Sequence, residues 1–396
     1  MLKTEPLKGA RWMCSREEAP AVVVIWTDWY ASHLARFTAL LTNPELAGRV
    51  AGIEMVGGQG VHANVSWRDD LPEELPVETL FTQSGWQQPK GWKIAQALWK
   101  RLNLLNPAVV LVPGDHPVAG LAAALWGKWK RRRTVLMTES TEADHAFFPI
   151  KEACKALLIR FLFDWAVGGG SSHLRYLERA RFAAERVARF YDVVDNEFFN
   201  ERSQAIRRHS TAGNFDLPER YFLYVGRLAE EKNVRGLIDA YLEYRLAGGR
   251  WSLVLVGDGP DRRVLERMAG ACGYGLDIRF EGLRSTAELP QYYAFASCFV
   301  LPSTRDPWGL VANEAMAAGL PIIVSRACGC AEDLLMEGEN GCGFDPDIPG
   351  DLAGCLSAVS ALDADSLLDM GCRSEQIISQ FSPAAWAAEV ARIARA

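Results

Sequence analysis

The amino-acid sequence predicts an α/β protein that contains two doubly wound parallel sheets. Short apolar runs alternate with longer helical patterns along the whole chain, which is typical of parallel strands connected by helices. The alternation is interrupted once, by a strongly charged stretch at 201–216 followed by Pro218. With 396 residues, 49% of them apolar or aromatic, the chain is long enough for two or three domains.

The first half predicts a domain at 1–205. Its strands are short apolar runs, and helical patterns at 34–41 and 119–130 lie between them. The predicted strands are 22–26, 51–56, 109–112, 134–138 and 165–168.

The second half repeats the alternation and predicts a domain at 206–380. A last helix, at 384–396, follows Pro383 and belongs to a separate segment, 381–396. The sequence leaves open where this helix packs, and the first domain is one option. The predicted strands are 221–225, 253–256, 278–281, 298–301 and 321–324, and the helices are 261–269, 287–294 and 311–318.

Composition excludes several classes of protein. The formal net charge is −6, which argues against a nucleic-acid partner. The chain has no apolar run of the roughly 18 residues that a membrane span needs, and residues 1–20 do not resemble a secretory signal. The nine cysteines are scattered without a CxxC pair, so neither a disulfide framework nor a zinc ribbon is indicated. We therefore expect a cytoplasmic protein.

Two glycine turns follow predicted strands of the second domain. The first holds Gly226, with Arg227 and Lys232 five positions apart at the entrance to a helix. Backbone N–H groups at a helix start, together with two cations, suit a phosphate or diphosphate. The second, with Gly257 and Gly259, is weaker evidence, because a Gly-x-Gly after a strand is more often ordinary turn chemistry.

The segment 301–321 carries two carboxylates eight positions apart. Asp306 lies in a loop, and Glu314 lies in the helix that follows. A helix carboxylate beside the strand ends can accept paired hydrogen bonds from a diol such as a ribose. Alanines surround Glu314 in the sequence and indicate a tightly packed helix, where an unpaired charge is costly, so we expect it to have a ligand.

These residues resemble the donor-binding half of the family 4 glycosyltransferases. The similarity extends to Val193-Val194-Asp195-Asn196 and to Gly338-Glu339-Asn340-Gly341, and it covers about 190–350 well. It implies the GT-B fold, in which two Rossmann-like domains face each other across a cleft. It also implies a retaining, metal-independent transfer of a sugar from a nucleotide sugar, with the first domain binding a hydroxyl acceptor.

The resemblance also implies roles for individual residues. Arg227 and Lys232 bind the donor diphosphate, Glu314 binds the ribose, and Asp306 contacts the donor sugar. Asp306 stands where the family's Glu-x7-Glu motif has a glutamate one methylene longer. Backbone groups near 282–285 recognise the base. The full predicted donor site is Gly226, Arg227, Lys232, Gly257, Leu283, Asp306, Trp308, Gly309, Leu310, Val311 and Glu314.

The first domain resembles the family only in outline. The family's glycine pair after the first strand is absent, and Trp29 and Tyr30 stand in that loop. Glu139 occupies the place where many members have a histidine. We predict Glu139 as a catalytic group that orients the sugar or acceptor, with Trp29, Tyr30 and His116 on the acceptor side.

Other motifs favour ordinary structural interpretations. Asp345-Pro346-Asp347 matches the metal-binding Asp-x-Asp of other sugar transferases, but its surroundings are typical of a turn. Cys328 and Cys330 lack further ligands at zinc spacing. The basic, tryptophan-containing run 128–133 and the segment 151–163 suit either solvated and core-facing helices or an anionic membrane surface.

The favoured hypothesis is therefore a glycosyltransferase with a nucleotide-sugar co-substrate, UDP- or GDP-linked, and no further cofactor or metal. Two alternatives remain open: a catalytically silent sugar-nucleotide or glycan binding module, and a GT-B epimerase acting on a nucleotide sugar.

Overall fold

The computed structural model describes residues 20–57, 75–82, 89–114, 117–141, 149–271 and 277–396. The chain divides into two compact units, one formed by Met1–Val193 with Pro383–Ala396 and the other by Val194–Ser382. The division falls at 193, whereas the sequence placed the boundary at 205. Residues 196–205 lie in the second unit because they belong to a helix, Asn196–His209, that packs on helices of that unit. Arg207 of this helix donates to the carbonyl of Ala294 at 2.8 Å.

The first unit contains a seven-stranded parallel sheet in the order β3-β2-β1-β4-β5-β6-β7. Helices lie between most of the successive strands, and the strand order reverses between β1 and β4. The elements are β1 Val22–Trp26, α1 Ala31–Thr42, β2 Val50–Gly57, β3 Val77–Thr82, α2 Gly91–Leu105, β4 Val109–Pro113, α3 Pro117–Lys130, β5 Arg133–Met137, α4 Pro149–Leu162, β6 Trp165–Val167, α5 Ser171–Arg179 and β7 Val187–Ala188.

The second unit contains a six-stranded parallel sheet in the order β10-β9-β8-β11-β12-β13. Its order reverses between β8 and β11. The elements are α6 Asn196–His209, β8 Tyr221–Val225, α7 Val234–Leu246, β9 Ser252–Val256, α8 Arg262–Ala271, β10 Ile278–Gly282, α9 Leu289–Phe295, β11 Cys298–Leu301, α10 Leu310–Ala317, β12 Ile322–Ser325, α11 Ala331–Leu334, β13 Gly341–Phe344, α12 Asp351–Ser360 and α13 Ala364–Ile378.

Every predicted strand is present, and the bounds of β1, β8 and β11 match the prediction. Three further strands, β3, β7 and β13, were missed, and each lies at an edge of its sheet. Edge strands pair on one side only and need no continuous apolar run. Strand β7 has two residues and β13 has the sequence Gly-Cys-Gly-Phe, so neither gives a strand signal in the sequence.

The last helix, α14 (Pro383–Arg395), packs against α1 in the first unit, as the sequence allowed. Trp386 is fully buried, and its ring lies 5.7 Å from that of Tyr191. Arg395 forms an ion pair with Glu45 at 2.9 Å. Burial of the tryptophan accounts for most of the attachment, since exposed ion pairs contribute little.

A disulfide joins Cys342 in β13 to Cys355 in α12, with the two Cα atoms 5.9 Å apart. The scattered cysteines did not predict a disulfide, because only the packing of α12 on the edge strand brings these two side chains together. None of the helices in the described part of the chain combines the length and hydropathy that crossing a membrane requires.

Candidate active site

The candidate site lies at the carboxyl ends of β8 and β11, where the strand order of the second sheet reverses. We call this position the switch point of the sheet. Helices leave in opposite directions from such a point, and the crevice between them is where ligands of open α/β sheets bind. The loops after β8 and β11 hold the predicted cations and Asp306. The fold therefore brings together residues that lie more than 70 positions apart in the sequence.

Lys232 and Asp306 connect these two loops directly. The Lys232 Nζ donates to Asp306 Oδ2 at 2.6 Å, and Asp306 is 8% exposed. An ammonium group has three donors, so Lys232 can bind a further anion without releasing Asp306. The pair brings one positive and one negative group to the switch point at a fixed distance.

Arg227 lies at the end of β8 and forms an ion pair with Glu231, four positions later. Both side chains are exposed, so the pair contributes little to stability. The pKa of Glu231 is lowered, first by a backbone hydrogen bond and also by Arg227. A guanidinium has five N–H donors, so Arg227 retains donors for a phosphate.

Asn233 fixes the position of this turn, although no sequence motif pointed to it. It adopts a left-handed conformation with φ of 52°, and its side chain accepts from the N–H of Gly236 at the start of α7. The same side chain donates to the carbonyl of Pro302 at 3.1 Å. Asn233 thus holds the β8 turn against the β11 loop. The signal that could have identified it is an asparagine directly before a helical pattern, which is typical of a helix N-cap.

The predicted glycines Gly226 and Gly257 contact each other through their backbones. Gly226 has φ of 155° and Gly257 has φ of 140°. A Cβ atom on Gly257 would lie 1.9 Å from the Gly226 carbonyl oxygen. A Cβ on Gly259 would lie 2.2 Å from the carbonyl oxygen of Leu228. The close packing of the β8 and β9 loops therefore requires both glycines of the Gly-x-Gly.

Helix α10 begins at the switch point after Gly309. Gly309 has φ of 104°, and a Cβ there would lie 2.6 Å from Leu301 Cδ2. Leu310 and Val311 in the first turn are partly exposed, and the N–H groups of a first helical turn suit an anion. Trp308 is 2% exposed, donates to Asn313 Oδ1 at 2.9 Å and packs on Phe381. Its ring is thus part of the core, although it was predicted at the donor site.

Glu314, in the middle of α10, accepts a hydrogen bond from the hydroxyl of Tyr293 at 2.7 Å. Burial raises the pKa of Glu314 to about 7, although the Tyr293 hydrogen bond acts in the opposite direction. The sequence predicted that this carboxylate binds a ligand. In the structure, the Tyr293 hydroxyl is the hydrogen-bond partner of one of its two oxygens. Tyr293 is on α9, and nothing in its sequence context indicates the contact.

Leu283, directly after β10, is 41% exposed. It is followed by Arg284, which forms an ion pair with Glu281 at 3.2 Å. Strand β10 is the second neighbour of β8 in the parallel sheet, so this exposed leucine lies at the same carboxyl edge of the sheet as the loop that holds Lys232.

The predicted residues of the first unit are in different environments. Glu139, after β5, is exposed, while Thr138 beside it is buried. Trp29 is fully buried, whereas Tyr30 is 39% exposed. His116 lies outside the described residues.

The loop after β1 packs as an aromatic cluster. Trp29 packs edge-on against Trp26 with the ring centroids 4.8 Å apart, and His33 stacks on the Trp26 ring. Burial lowers the pKa of His33 well below its usual value of 6.5. Arg36 is also buried, with its guanidinium 4.4 Å from the ring of Tyr191 and donating to the Tyr191 carbonyl.

The Asp-x-Asp motif at 345–347 lies in a turn, and the two cysteines at 328 and 330 are buried side chains. The Asp347 N–H donates to Asp345 Oδ1 at 3.0 Å, as expected for a turn. Cys328 and Cys330 are buried, and burial raises the pKa of both thiols. Across the residues that the structure describes, no group of three or more His, Cys, Asp or Glu side chains is arranged to hold a metal ion.

Comparison of the sequence with protein families gives a match to the model "Glycosyl transferases group 1" over residues 206–364. Sulfoquinovosyl transferase SQD2 of Arabidopsis thaliana is 31% identical over 229 residues, which are 51% of this chain and 42% of that protein. The alpha-monoglucosyldiacylglycerol synthase of Acholeplasma laidlawii is 34% identical over 122 residues, which are 31% of this chain and 30% of that protein. This chain thus spans less than half the length of these relatives.

Solved structures share the fold over almost the whole chain. HepE of Anabaena, in complex with UDP and glucose, aligns with a TM-score of 0.73 at 18% identity and covers 94% of this chain and 99% of that chain. A glycosyltransferase of Rickettsia africae aligns with a TM-score of 0.72 at 12% identity and covers 95% and 98%. The predicted GT-B fold, with two Rossmann-like domains, is thereby confirmed.

Proposed function

We propose that this protein is a retaining, family 4 glycosyltransferase that transfers a sugar from a UDP- or GDP-sugar to a hydroxyl acceptor. The observation that carries the proposal is the pairing of Lys232 with Asp306 across the switch point at 2.6 Å. Arg227 lies in the loop that follows β8, and Glu314 is on helix α10, which follows the β11 loop. The matches to glycosyltransferases over this unit and the UDP in the HepE structure support the same assignment.

The main chemical task is to stabilise the leaving nucleoside diphosphate. Negative charge grows on the diphosphate as the anomeric C–O bond breaks, and Arg227 and Lys232 interact more strongly with that charge than with the intact donor. The first turn of α10 adds backbone N–H groups. In this proposal the two cations and the helix end take the role that a divalent metal has in other transferases, and no further cofactor takes part.

Carboxylates orient the donor in this proposal. Asp306, held by Lys232, accepts a hydrogen bond from a hydroxyl of the transferred sugar, and Glu314 accepts from the ribose. Leu283 and the backbone beside it contact the base. The leaving phosphate takes the acceptor proton, so the reaction needs no protein nucleophile. On the acceptor side, the exposed Glu139 and Tyr30 are the candidates, whereas the buried Trp29 supports the loop.

The first experiment is a thermal-shift series with UDP, GDP, ADP and dTDP, each with and without EDTA, and with UMP as the control that lacks a β-phosphate. A ligand at 100 times its Kd stabilises the folded state by about 2.7 kcal/mol. We expect one diphosphate to raise the Tm in EDTA and UMP to do so much less. No shift with any diphosphate would contradict the donor site, and a shift that EDTA abolishes would contradict metal independence.

The second experiment separates the reaction from its alternatives. The matching nucleotide sugar is incubated with the protein, and the products are followed by NMR. We expect slow release of nucleoside diphosphate and a free sugar with the anomeric configuration of the donor. Binding without any release would indicate a binding module, and conversion of the donor into an epimer would indicate an epimerase.

A further inference from the structure

Helix α3 in the first unit has an apolar face toward solvent as well as toward the core. Ala119, Ala123, Ala124 and Trp126 pack in the core of the unit. On the opposite side lies the apolar stripe, which we define as the exposed residues Val118, Leu121, Leu125 and Trp129, each at least 41% exposed. These positions follow the spacing i, i+3, i+7, i+11, so they line one face of the helix over about 16 Å.

The neighbouring helices extend this stripe. Helix α3 packs between α2 and α4. Trp92 on α2 is 58% exposed, and Leu157, Leu158 and Phe161 on α4 are 51% to 73% exposed. Large exposed apolar side chains on three helices that pack side by side are unusual for a solvent-facing surface and are typical of an interaction site.

The Trp129 ring of the apolar stripe is held between two neighbouring side chains. Trp129 stacks on Trp99 with the ring centroids 5.7 Å apart, and the Lys130 Nζ lies 4.2 Å from the centroid of the Trp129 ring. An indole beside an ammonium is the pair that favours the boundary between lipid headgroups and acyl chains. Little side-chain entropy is lost when a partner covers a ring that is already held.

The same helices carry a large excess of positive charge. Residues 89–133 contain nine Lys or Arg and one acidic residue, in a chain with a net charge of −6. Two of these cations are paired with other elements, Lys128 with Asp164 and Arg101 with Glu78. Lys93, Lys100, Lys130 and Arg131 are exposed. This part of the surface is thus both apolar and cationic, while the rest of the chain is acidic on balance.

An open cavity of about 790 Å³ continues the cationic region beyond the end of α3. It is lined by Arg131, Arg132, Arg133 and Arg186, with Asp164 and Glu185 as the acidic members. The guanidinium groups outnumber the carboxylates, and guanidinium groups bind phosphates in a bidentate manner.

We propose that the exposed face of α2, α3 and α4 docks on the surface of an anionic lipid bilayer. The apolar stripe enters the boundary of headgroups and acyl chains, and the cations that flank it contact the phosphates. An apolar protein partner would account for the stripe alone, whereas the bilayer accounts for the stripe and the charge together. Docking is independent of the proposed transfer reaction and is measured without donor or acceptor.

The test is sedimentation of the full chain with vesicles. One set contains phosphatidylcholine only, and the other contains phosphatidylcholine with phosphatidylglycerol. We expect binding to the anionic vesicles, much weaker binding to the neutral ones, and loss of binding as NaCl is raised. Equal binding to both sets, or binding to neither, would overturn the proposal.

Variants locate the surface. The double substitution Leu125→Ser with Trp129→Ser is expected to weaken vesicle binding roughly tenfold per residue. The matched control is Leu246→Ser with Leu368→Ser, two apolar residues of the second unit that are 76% and 65% exposed. Lys130→Glu with Arg131→Glu is expected to remove the preference for anionic vesicles, whereas Arg263→Glu on the second unit leaves it in place.

Two readouts distinguish docking from misfolding of the variants and from self-association of the chain. An unchanged Tm shows that the variants fold, as expected for exposed positions. The proposal would be overturned if the Leu125→Ser, Trp129→Ser variant and the Lys130→Glu, Arg131→Glu variant both bound anionic vesicles like the wild type. Sedimentation of the wild type as a dimer that the Leu125→Ser, Trp129→Ser variant dissociates would also overturn it, because the stripe would then be covered by a second copy of the chain.

Discussion

The switch points of the two sheets have the same topology and different contents. In the second unit, the loops after β8 and β11 bring charged groups to the surface, and Lys232 and Asp306 pair across them. In the first unit, the loop after β1 is filled by its own aromatic side chains, with Trp29 fully buried. The same fold thus provides an electrostatic site in one unit and a packed cluster in the other.

Under the proposed function, the difference shows which side chains the donor determines and which the acceptor determines. A diphosphate has the same charge whichever sugar it carries, so the groups that bind it follow a short motif. Acceptors vary, and the loops that meet them vary with them. The match to the glycosyltransferase model, over residues 206–364, lies within the second unit.

The largest expected effect comes from removing the cations of the second unit. Lys232→Ala and Arg227→Ala are each expected to lower turnover by about a hundredfold to a thousandfold, since each loses a charge that acts on the leaving diphosphate. Steady-state kinetics with the matching nucleotide sugar measures the effect. Arg235→Ala, an exposed cation one helical turn later, is the matched control. If Lys232→Ala and Arg227→Ala turn over at the wild-type rate, the cations have no catalytic role.

The second effect tests the packed cluster of the first unit. Trp29→Ala is expected to cost about 3 kcal/mol of unfolding free energy, because it leaves a cavity between Trp26 and Phe37. Urea unfolding measures this loss. Tyr30→Ala, at the adjacent exposed position, is expected to leave stability within about 0.5 kcal/mol and to raise the KM for the acceptor. The opposite pattern would place Trp29 in the acceptor site and Tyr30 in the core.

The third effect concerns the protonation of Glu314, whose pKa burial raises to about 7 from 4.5. A raised carboxyl pKa means that the folded state binds the proton more tightly, so the stability from this group is present below pH 4.5 and is lost as the pH rises through 7. The ribose hydroxyls donate hydrogen bonds, so they bind better to the ionised carboxylate of Glu314 than to the protonated one. We therefore expect the affinity for UDP to increase about tenfold from pH 6 to pH 8. Isothermal titration calorimetry over that range measures it.

Tyr293→Phe sharpens this test. The Tyr293 hydroxyl stabilises the ionised Glu314, so its loss is expected to raise the pKa of Glu314 further and to shift the midpoint of UDP binding to higher pH. Tyr241→Phe removes another buried hydroxyl, which bonds to the Trp251 carbonyl, and is the matched control. An unchanged midpoint in Tyr293→Phe would show that Glu314 does not control nucleotide binding.

The sequence by itself determined the interior of the fold. The central strands are continuous apolar runs, because a parallel strand is buried on both faces, and their bounds could be predicted within one residue or two. The cations of the second unit follow a strand directly, so Arg227 and Lys232 could be placed at the carboxyl edge of the sheet from their spacing alone.

Only the tertiary structure decided which side chains meet. The edge strands β3, β7 and β13 have no periodic signal, since they form by pairing with a strand that is already buried. Tyr293 meets Glu314 and Cys342 meets Cys355 because separate elements pack there. Trp29 and Tyr30 are neighbours in the sequence, yet one is buried and the other exposed. Local patterns fix the elements, whereas burial and pairing depend on what the rest of the chain places against them.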